Sequence, residues 1–164
     1  MNIVIVGATG NVGRKLLEVL ERTNFEFSEI YLIASDKSVG KKITFKNKNY
    51  PVIGLSDFDF GKVKLAFFSA GSSIAEKWAP IAAKKTIVID NSKYFRMDKE
   101  IPLVVPEVNS DALKLYKNKN IIANANCSTI QLVLALKPLH DQFKIKRVIV
   151  STYQSVSGAG KNHM

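Results

Sequence analysis

The stretch 124–129, with the sequence NANCST, holds the single cysteine of the chain, Cys127. It joins an apolar run at 121–123 to an apolar segment with helical spacing from Ile130. A thiol in the first turn of a helix faces unpaired backbone N–H groups and the positive end of the helix dipole, and both favour the nucleophilic thiolate. A lone cysteine is more commonly a small buried apolar side chain. Because Asn, Ser and Thr flank Cys127, we interpret it as a nucleophile.

A glycine-rich turn follows the first predicted strand, 2–6, and precedes leucines at helical spacing. Strand, glycine-rich turn and helix in this order are the context of a dinucleotide-binding fingerprint. The glycines allow a tight turn and a close approach to a pyrophosphate, which sits on the helix N-terminus. The spacing G-x-x-G-x-x-G is a variant of the usual pattern. The predicted cofactor-binding residues of this turn are Gly7, Thr9, Gly10, Asn11, Val12 and Gly13.

Polar residues follow the second predicted strand, 30–34. An NAD-binding domain usually has an acidic residue here that holds the ribose 2′-hydroxyl, whereas an NADP-binding domain has a cation and hydroxyls. Ser35, Lys37 and Ser38 suit a 2′-phosphate, and Asp36 suits the 2′-hydroxyl of NAD. We favour NADP, with a simple polar turn as the alternative.

Small residues follow the strand predicted at 64–68, at an edge where open parallel sheets bind ligands. The predicted cofactor contacts there are Ser69, Ala70 and Gly71. The remaining predicted elements are a hairpin at 41–52 without a chemical role, a helix at 74–84 capped by Ser72 or Ser73, a strand at 86–89, a short helix at 111–116, a strand at 120–124, a helix from Cys127 to about 138–140, and a long strand at 145–154.

Arg96 lies in a long, proline-marked segment, 94–109, which we predict to be irregular. Loops of this length in compact domains tend to be functional. A guanidinium group matches phosphate and carboxylate oxygens bidentately, so Arg96 is a candidate anion-binding residue. The alternative is a surface ion pair with Asp98 or Glu100.

Alternating strands and helices predict an α/β fold with a doubly wound, mostly parallel sheet, a Rossmann-like domain. We predict an NADP-binding domain at 1–126, and at 127–164 the first helix and strand of a second, catalytic and dimerisation domain.

Length and composition describe a globular protein: 164 residues, 46% apolar, with a net charge of +10. The positive charge raises the possibility of a nucleic-acid binder, but no recognition helix or stacking motif accompanies the scattered lysines. No apolar run is long enough for a bilayer, and we expect no membrane or metal partner. A single cysteine and the absence of a basic signal region are typical of a cytoplasmic protein.

Seven motifs together resemble the N-terminal half of the aspartate-semialdehyde dehydrogenase family. GATG-x-x-G is widespread among NADP proteins, whereas the cysteine block and the last, glutamine-containing motif are much narrower. In chain order they are GATGNVG at 7–13, FFSAGSS at 67–73, VIDNS at 88–92, FRMD at 95–98, PLVVPEVN at 102–109, NANCST at 124–129 and STYQSVSGAG at 151–160.

The resemblance implies NADP-dependent conversion of aspartyl-4-phosphate to aspartate-4-semialdehyde and phosphate, a step in lysine, methionine, threonine and diaminopimelate biosynthesis. It implies that Cys127 forms a thioacyl intermediate, that Arg96 holds the substrate phosphate and that Asn126 and Gln154 contact the substrate. It also implies that Gly158 to Gly160 lie by the nicotinamide and that Ser157 and Gly158 bind the cofactor. Full-length members of the family are expected to be homo-oligomers.

This sequence departs from the family pattern at Ala125, where proline is usual, and at Lys37, where arginine is frequent. The family's substrate domain, with its acid/base histidine, extends well beyond this length, and neither His140 nor His163 is a credible replacement. We therefore expect a fragment with little or no turnover.

Three alternatives to this enzyme remain. The first is a non-catalytic NADP-binding module. The second, N-acetyl-glutamyl-phosphate reductase, shares the fold and mechanism, but its cysteine block differs and it lacks the FRMD and PEVN elements. A basic nucleic-acid binder is the third.

Overall fold

Short runs of β-branched and aromatic residues form the strands of one eight-stranded sheet. The computed structural model describes residues 1–155. The strands are β1 Ile3–Val6, β2 Ile30–Ala34, β3 Lys42–Phe45, β4 Lys48–Gly54, β5 Leu65–Phe68, β6 Ile87–Asp90, β7 Leu103–Val104 and β8 Ile121–Asn124.

The order of the strands across the sheet is β3-β4-β2-β1-β5-β6-β8-β7. β3 and β4 are antiparallel, and the other neighbouring pairs within the described residues are parallel. The chain first adds β2 and β4 on one side of β1 and then crosses to β5, β6 and β8 on the other. This reversal places a topological switch point between the carboxyl ends of β1 and β5, where such sheets bind ligands. The predicted doubly wound, mostly parallel α/β fold is confirmed.

Two long helices cover opposite faces of the sheet. Leu17 and Leu20 of one helix pack on the apolar side chains of β1, β2 and the β3–β4 hairpin. Ala75 and Ala79 of the other pack on the opposite face, against β5, β6 and β8. The helices are α1 Asn11–Arg22, α2 Ser72–Ala83, α3 Pro106–Asn109 and α4 Cys127–Phe143, with 3-10 turns at Asp36–Ser38, Phe60–Lys62, Tyr94–Met97 and Ser110–Asn118.

The α1 face of the sheet is covered over only part of its width. Phe67, Ile89 and Ile122 are register neighbours on β5, β6 and β8, and all three are half-buried. Val12 and Val19, on the adjacent edge of α1, are 49% and 44% exposed. Within the described residues, this apolar row therefore lies at the open side of the sheet. No helix of residues 1–155 is both long and apolar enough to span a bilayer.

The predicted hairpin at 41–52 is confirmed, with a tighter turn than expected. Lys46 and Asn47 have φ values of 47° and 60°, as in the two-residue turns that fit the twist of a hairpin. β4 therefore begins at Lys48, inside the predicted turn, and also pairs with β2.

The expectation that Ser72 or Ser73 caps α2 is wrong. The N-cap is Gly71, with φ 90° and ψ 169°, and it makes no side-chain cap hydrogen bond. This backbone conformation is essentially restricted to glycine, so a serine is disfavoured at the capping position and both serines lie inside the helix.

The strand expected at 145–154 is also wrong. α4 continues past Pro138 to Phe143 and ends at Lys144, whose φ is 54°. The chain from there to residue 155 forms no helix or strand. Apolar, β-branched residues favour a strand only where another strand accepts their backbone hydrogen bonds, and within the described residues none pairs with this segment.

The segment at 94–109 is more regular than predicted. It contains the 3-10 turn Tyr94–Met97, strand β7 and helix α3. The short helix expected at 111–116 is a 3-10 turn at Ser110–Asn118.

Candidate active site

The glycine-rich turn between β1 and α1 lies at the switch point and packs very closely against the backbone that follows β5. Gly7 has a φ of 93°, and a Cβ on it would lie 2.7 Å from the carbonyl carbon and oxygen of Ser69. A Cβ on Gly13 would lie 2.3 Å from the carbonyl oxygen of Gly7. The backbone N–H of Gly10, the N-cap of α1, donates to the same oxygen at 3.0 Å. Glycine is thus required at two of the three motif positions by contacts with the backbone.

The start of α1 is oriented toward the switch point. Asn11, Val12 and Gly13 are its first three residues, and the first N–H groups of a helix have no acceptor within it. These N–H groups suit the pyrophosphate of a dinucleotide. Thr9 lies in the turn just before them.

A cavity of about 320 Å³ lies between the ends of β1, β2 and β5 and helix α2. Its volume and its mainly apolar walls suit the adenosine half of a dinucleotide. The structure brings Ser35 and Asp36 to it, but Lys37 and Ser38 are not in its lining. Its lining residues are Val6, Gly7, Ile33, Ala34, Ser35, Asp36, Leu55, Ser56, Ala70, Ile74 and Trp78.

The residues after β5 connect this cavity to the glycine-rich turn. The Ser69 hydroxyl donates to the carbonyl oxygen of Val6 at 3.0 Å, which ties the end of β5 to the end of β1. Ala70 lines the cavity and Gly71 begins the turn into α2. All three predicted contacts therefore lie at the switch point.

Cys127 is the first residue of α4, and its side chain is exposed and free. Asn126 caps the helix, since its Oδ1 accepts from the backbone N–H of Ser128 at 3.0 Å and from the Ser128 hydroxyl at 2.6 Å. The sulfur lies 3.9 Å from the same Oδ1 and 3.9 Å from Nε2 of Gln154. The predicted helix-start position of the thiol is confirmed, and two of the predicted substrate-binding side chains surround it.

Arg96 is held by two backbone carbonyl groups. Its Nε donates to the oxygen of Asn124 at 2.9 Å, and an Nη donates to the oxygen of Asn91 at 3.1 Å. The alternative of a surface ion pair is wrong within the described residues: Glu100 pairs with Lys119 at 2.9 Å, and Asp98 accepts from the backbone N–H of Glu100. The guanidinium group is therefore fixed at the carboxyl ends of β6 and β8. Of these two strands, β8 is the one that leads into Cys127.

Two asparagines that sequence reasoning did not assign to the site join the same strand ends. Nδ2 of Asn124 donates to Oδ1 of Asn91 at 2.6 Å, across 33 residues of sequence. Each asparagine lies at or just after the carboxyl end of a parallel strand, which is the signal that could have identified it. The pair fixes the two carbonyl groups that hold Arg96.

Asp90 is fully buried at the end of β6, also outside the predicted site. Its carboxylate accepts from the backbone N–H of Ser92 at 3.1 Å and from the Ser92 hydroxyl at 2.6 Å, and that hydroxyl accepts from the N–H of Tyr94. Burial raises the pKa of the Asp90 carboxyl above its ordinary value, against the opposing effect of the Ser92 hydrogen bonds and the Arg96 charge. Asp90 thus shapes the turn that carries Asn91 toward Arg96.

Ser157 and Gly158, predicted to contact the cofactor, and His163 lie outside the described residues. The predicted domain division between residues 126 and 127 stays a prediction, as do the roles of the individual site residues.

Comparison with protein-family models identifies the family to which the chain belongs. Residues 2–116 match the family model described as semialdehyde dehydrogenase, NAD binding domain. The chain belongs to the semialdehyde dehydrogenase family. Residues 136–164 match a second semialdehyde dehydrogenase model, described as the dimerisation domain. The resemblance found in the seven sequence motifs is therefore confirmed.

Individual relatives of this chain are named as aspartate-semialdehyde dehydrogenases. Aspartate-semialdehyde dehydrogenase 2 of Vibrio cholerae is 53% identical over 98% of this chain and 48% of that protein. The aspartate-semialdehyde dehydrogenase of Aquifex aeolicus is 56% identical over 96% of this chain and 47% of that protein. The chain spans about half the length of the curated relatives it matches.

Solved structures of semialdehyde dehydrogenases superimpose closely on the chain. Aspartate semialdehyde dehydrogenase II of Vibrio cholerae complexed with ASA has a TM-score of 0.96 at 52% identity, over 99% of this chain and 48% of that one. The enzyme of Candida albicans with NADP has a TM-score of 0.72 at 30% identity, over 87% of this chain and 47% of that one.

Proposed function

We propose that this chain is the cofactor-binding half of an NADP-dependent aspartate-semialdehyde dehydrogenase, which reduces aspartyl-4-phosphate to aspartate-4-semialdehyde with release of phosphate. The relatives' names, the ASA complex of the Vibrio cholerae enzyme and the NADP complex of the Candida albicans enzyme support this reaction. The reaction would serve lysine, methionine, threonine and diaminopimelate biosynthesis in the cytoplasm.

One relationship in the structure carries the proposal: the guanidinium group of Arg96 is anchored at the end of β8, three residues before the free thiol of Cys127. Asn124 accepts the hydrogen bond of Arg96 and precedes Cys127 by only three residues. Guanidinium groups carry five N–H donors, of which Arg96 uses two on carbonyl groups. The other donors remain for a phosphate group beside the nucleophile.

Cys127, the first residue of α4, is the nucleophile of the first step. Its sulfur attacks the acyl carbon of aspartyl-4-phosphate and forms a thioester, while the bond from that carbon to the phosphate oxygen breaks and phosphate leaves with the electron pair. Arg96 holds the phosphate group before and during its departure. Gln154 and Asn126 orient the acyl group near the sulfur, and the N–H groups at the helix start face the developing oxyanion.

NADPH, when bound, would supply a hydride to the acyl carbon of the thioester. Breaking of the C–S bond would then release the aldehyde and restore the Cys127 thiolate. The turn at 7–13 and the cavity beside it fit a dinucleotide. Glycine at positions 7 and 13 lets the turn pack closely on the neighbouring backbone, and the free N–H groups at the start of α1 can bind the pyrophosphate. The residues that would hold NADP are Gly7, Thr9, Gly10, Asn11, Val12, Gly13, Ser35, Lys37, Ser38, Ser69, Ala70, Gly71, Ser157 and Gly158.

The match of residues 136–164 to a dimerisation domain supports a homo-oligomer for the full-length enzyme. Within residues 1–155, the hydrogen-bond partners of the sulfur are two amides and no acid or base. We therefore expect the 164-residue chain to form the thioester with little or no turnover.

Acylation of Cys127 tests the function. The chain is incubated with acetyl phosphate, a simple acyl phosphate, and analysed by peptide mass spectrometry. We expect an acetyl thioester at Cys127, slower labelling in the presence of inorganic phosphate, and no labelling of Cys127→Ser at that position. Equal thiol labelling by acetyl phosphate in the chain and in free cysteine would support the non-catalytic NADP-binding module instead. That module also predicts NADPH binding unchanged by Cys127→Ser, so binding alone does not separate the two functions.

A further inference from the structure

The adenosine cavity contains one charged residue, and it is an acid. Asp36 opens the 3-10 turn after β2 and lines the cavity together with Gly7 and Ala70. The other lining residues are apolar, glycine or serine, and none is lysine or arginine. Asp36 follows the glycine-rich turn by about 20 residues, the separation at which an acidic residue binds the ribose 2′-hydroxyl of NAD.

The cation expected for a 2′-phosphate is placed less favourably. Asp36 and Lys37 are both exposed and Ser38 is half-buried, but of these three residues only Asp36 lines the cavity. Within the described residues, no ion pair neutralises Asp36. A 2′-phosphate beside Asp36 would meet a like charge, whereas a 2′-hydroxyl would donate a hydrogen bond to it.

We propose that Asp36 makes this cofactor site accept NAD(H) as well as NADP(H), by accepting a hydrogen bond from the ribose 2′-hydroxyl. Ser35 lines the same cavity and can hydrogen-bond to either sugar. Lys37, next to Asp36 but outside the cavity, supplies the attraction for the 2′-phosphate. The inference rests on the proposed dinucleotide binding and specifies which dinucleotides bind.

Trp78 gives a direct readout of binding, because it lines the cavity and is the single tryptophan of the chain. The 164-residue chain is titrated with NADH and with NADPH, and quenching of the Trp78 fluorescence gives both dissociation constants. We expect the two constants to agree within about tenfold. In Asp36→Asn, NADH should bind about tenfold more weakly, since a hydrogen bond to a charged group is lost, and NADPH should bind more tightly. In Lys37→Gln, the NADPH affinity alone should fall.

Asp57→Asn is the matched control. Asp57 is exposed and accepts from the hydroxyl of the lining residue Ser56, but it does not line the cavity. This substitution removes the same charge nearby and should leave the ratio of the two constants unchanged. If NADPH binds but NADH binds more than 100-fold more weakly, or if Asp36→Asn leaves the ratio unchanged, the NAD inference is wrong and the proposed function stands. If neither dinucleotide quenches Trp78, the proposed cofactor function fails too.

Discussion

Nε2 of Gln154 lies 3.9 Å from the sulfur of Cys127, although 27 residues separate them. The chain beyond α4 therefore returns to the start of that helix. The amide N–H groups of Gln154 point a partial positive charge at the position where a thiolate carries its negative charge.

Gln154→Ala should slow alkylation of Cys127 by iodoacetamide at neutral pH. The expected effect is about two- to tenfold, because a typical hydrogen bond contributes ~0.5–1.5 kcal/mol and this one favours the thiolate. The pseudo-first-order rate of thiol loss measures it.

Gln131→Ala is the control for this change. Nε2 of Gln131 donates to the backbone carbonyl oxygen of Cys127 at 3.3 Å, so the side chain is near the same residue but bound to its main chain. Iodoacetamide should alkylate Cys127 as fast in Gln131→Ala as in the unchanged chain. If Cys127 is alkylated equally fast in Gln154→Ala and in Gln131→Ala, the Gln154 contact does not affect the thiol.

Arg96→Lys should abolish most of the protection that inorganic phosphate gives Cys127 against alkylation. A lysine keeps the charge, but it cannot satisfy the carbonyl groups of Asn91 and Asn124 and still present a planar fork to an anion. We expect the apparent phosphate dissociation constant to rise about tenfold, as for the loss of a charge-assisted hydrogen bond.

Arg22→Lys is the matched control for Arg96→Lys. Arg22 makes a surface pair with Glu18 on α1 at 2.7 Å, remote in sequence from the cysteine. Phosphate protection should be unaffected by it. Full protection in Arg96→Lys would mean that charge alone, without the fork, holds the anion.

Local patterns were sufficient to predict that Cys127 begins a helix and that a glycine-rich turn joins β1 to α1. Cys127 and its cap, Asn126, are adjacent in sequence, and the turn at 7–13 carries its own strand and helix on either side. Such features depend on interactions over a few residues, which spacing and residue type specify.

Contacts between distant segments could not be predicted in the same way. Arg96 reaches Asn124 across 28 residues, and nothing in the loop sequence distinguishes that bond from an ion pair with Asp98. The segment 145–154 has the composition of a strand, but composition does not specify a partner, and the structure shows none within the described residues. The bond of Arg96 and the conformation of segment 145–154 both depend on contacts with residues distant in sequence.

Gly7→Ala should destabilise the chain far more than Gly71→Ala. The two glycines have nearly the same φ, 93° and 90°, so backbone strain is similar, at about 1–3 kcal/mol. A Cβ on Gly7 meets the Ser69 backbone at 2.7 Å, whereas a Cβ on Gly71 meets nothing within 4 Å. Urea unfolding of both variants measures the difference, and equal midpoints would contradict the close approach of the two strand ends.

Asp90→Asn should change how stability depends on pH. Desolvation raises the pKa of the buried Asp90 carboxyl above 3.8, so its protonated form is favoured by folding. The contribution of this group is fully present below pH 3.8 and is lost as the pH rises through the raised pKa of the folded chain. The free energy of unfolding of the variant, minus that of the unchanged chain, should therefore increase with pH over this window. Urea titrations at several pH values measure it.

Asp59→Asn provides the opposite sign. The hydrogen bond from Lys85 lowers the pKa of Asp59, so its contribution is present above pH 3.8 and is lost as the pH falls through the lowered pKa. For Asp59→Asn, the free energy of unfolding of the variant, minus that of the unchanged chain, should therefore become more negative as the pH rises. Because an asparagine side chain does not titrate, loss of a Ser92 hydrogen bond would shift the Asp90→Asn difference curve by a constant and leave its slope unchanged. A flat difference curve for Asp90→Asn would show that burial does not perturb this carboxyl group.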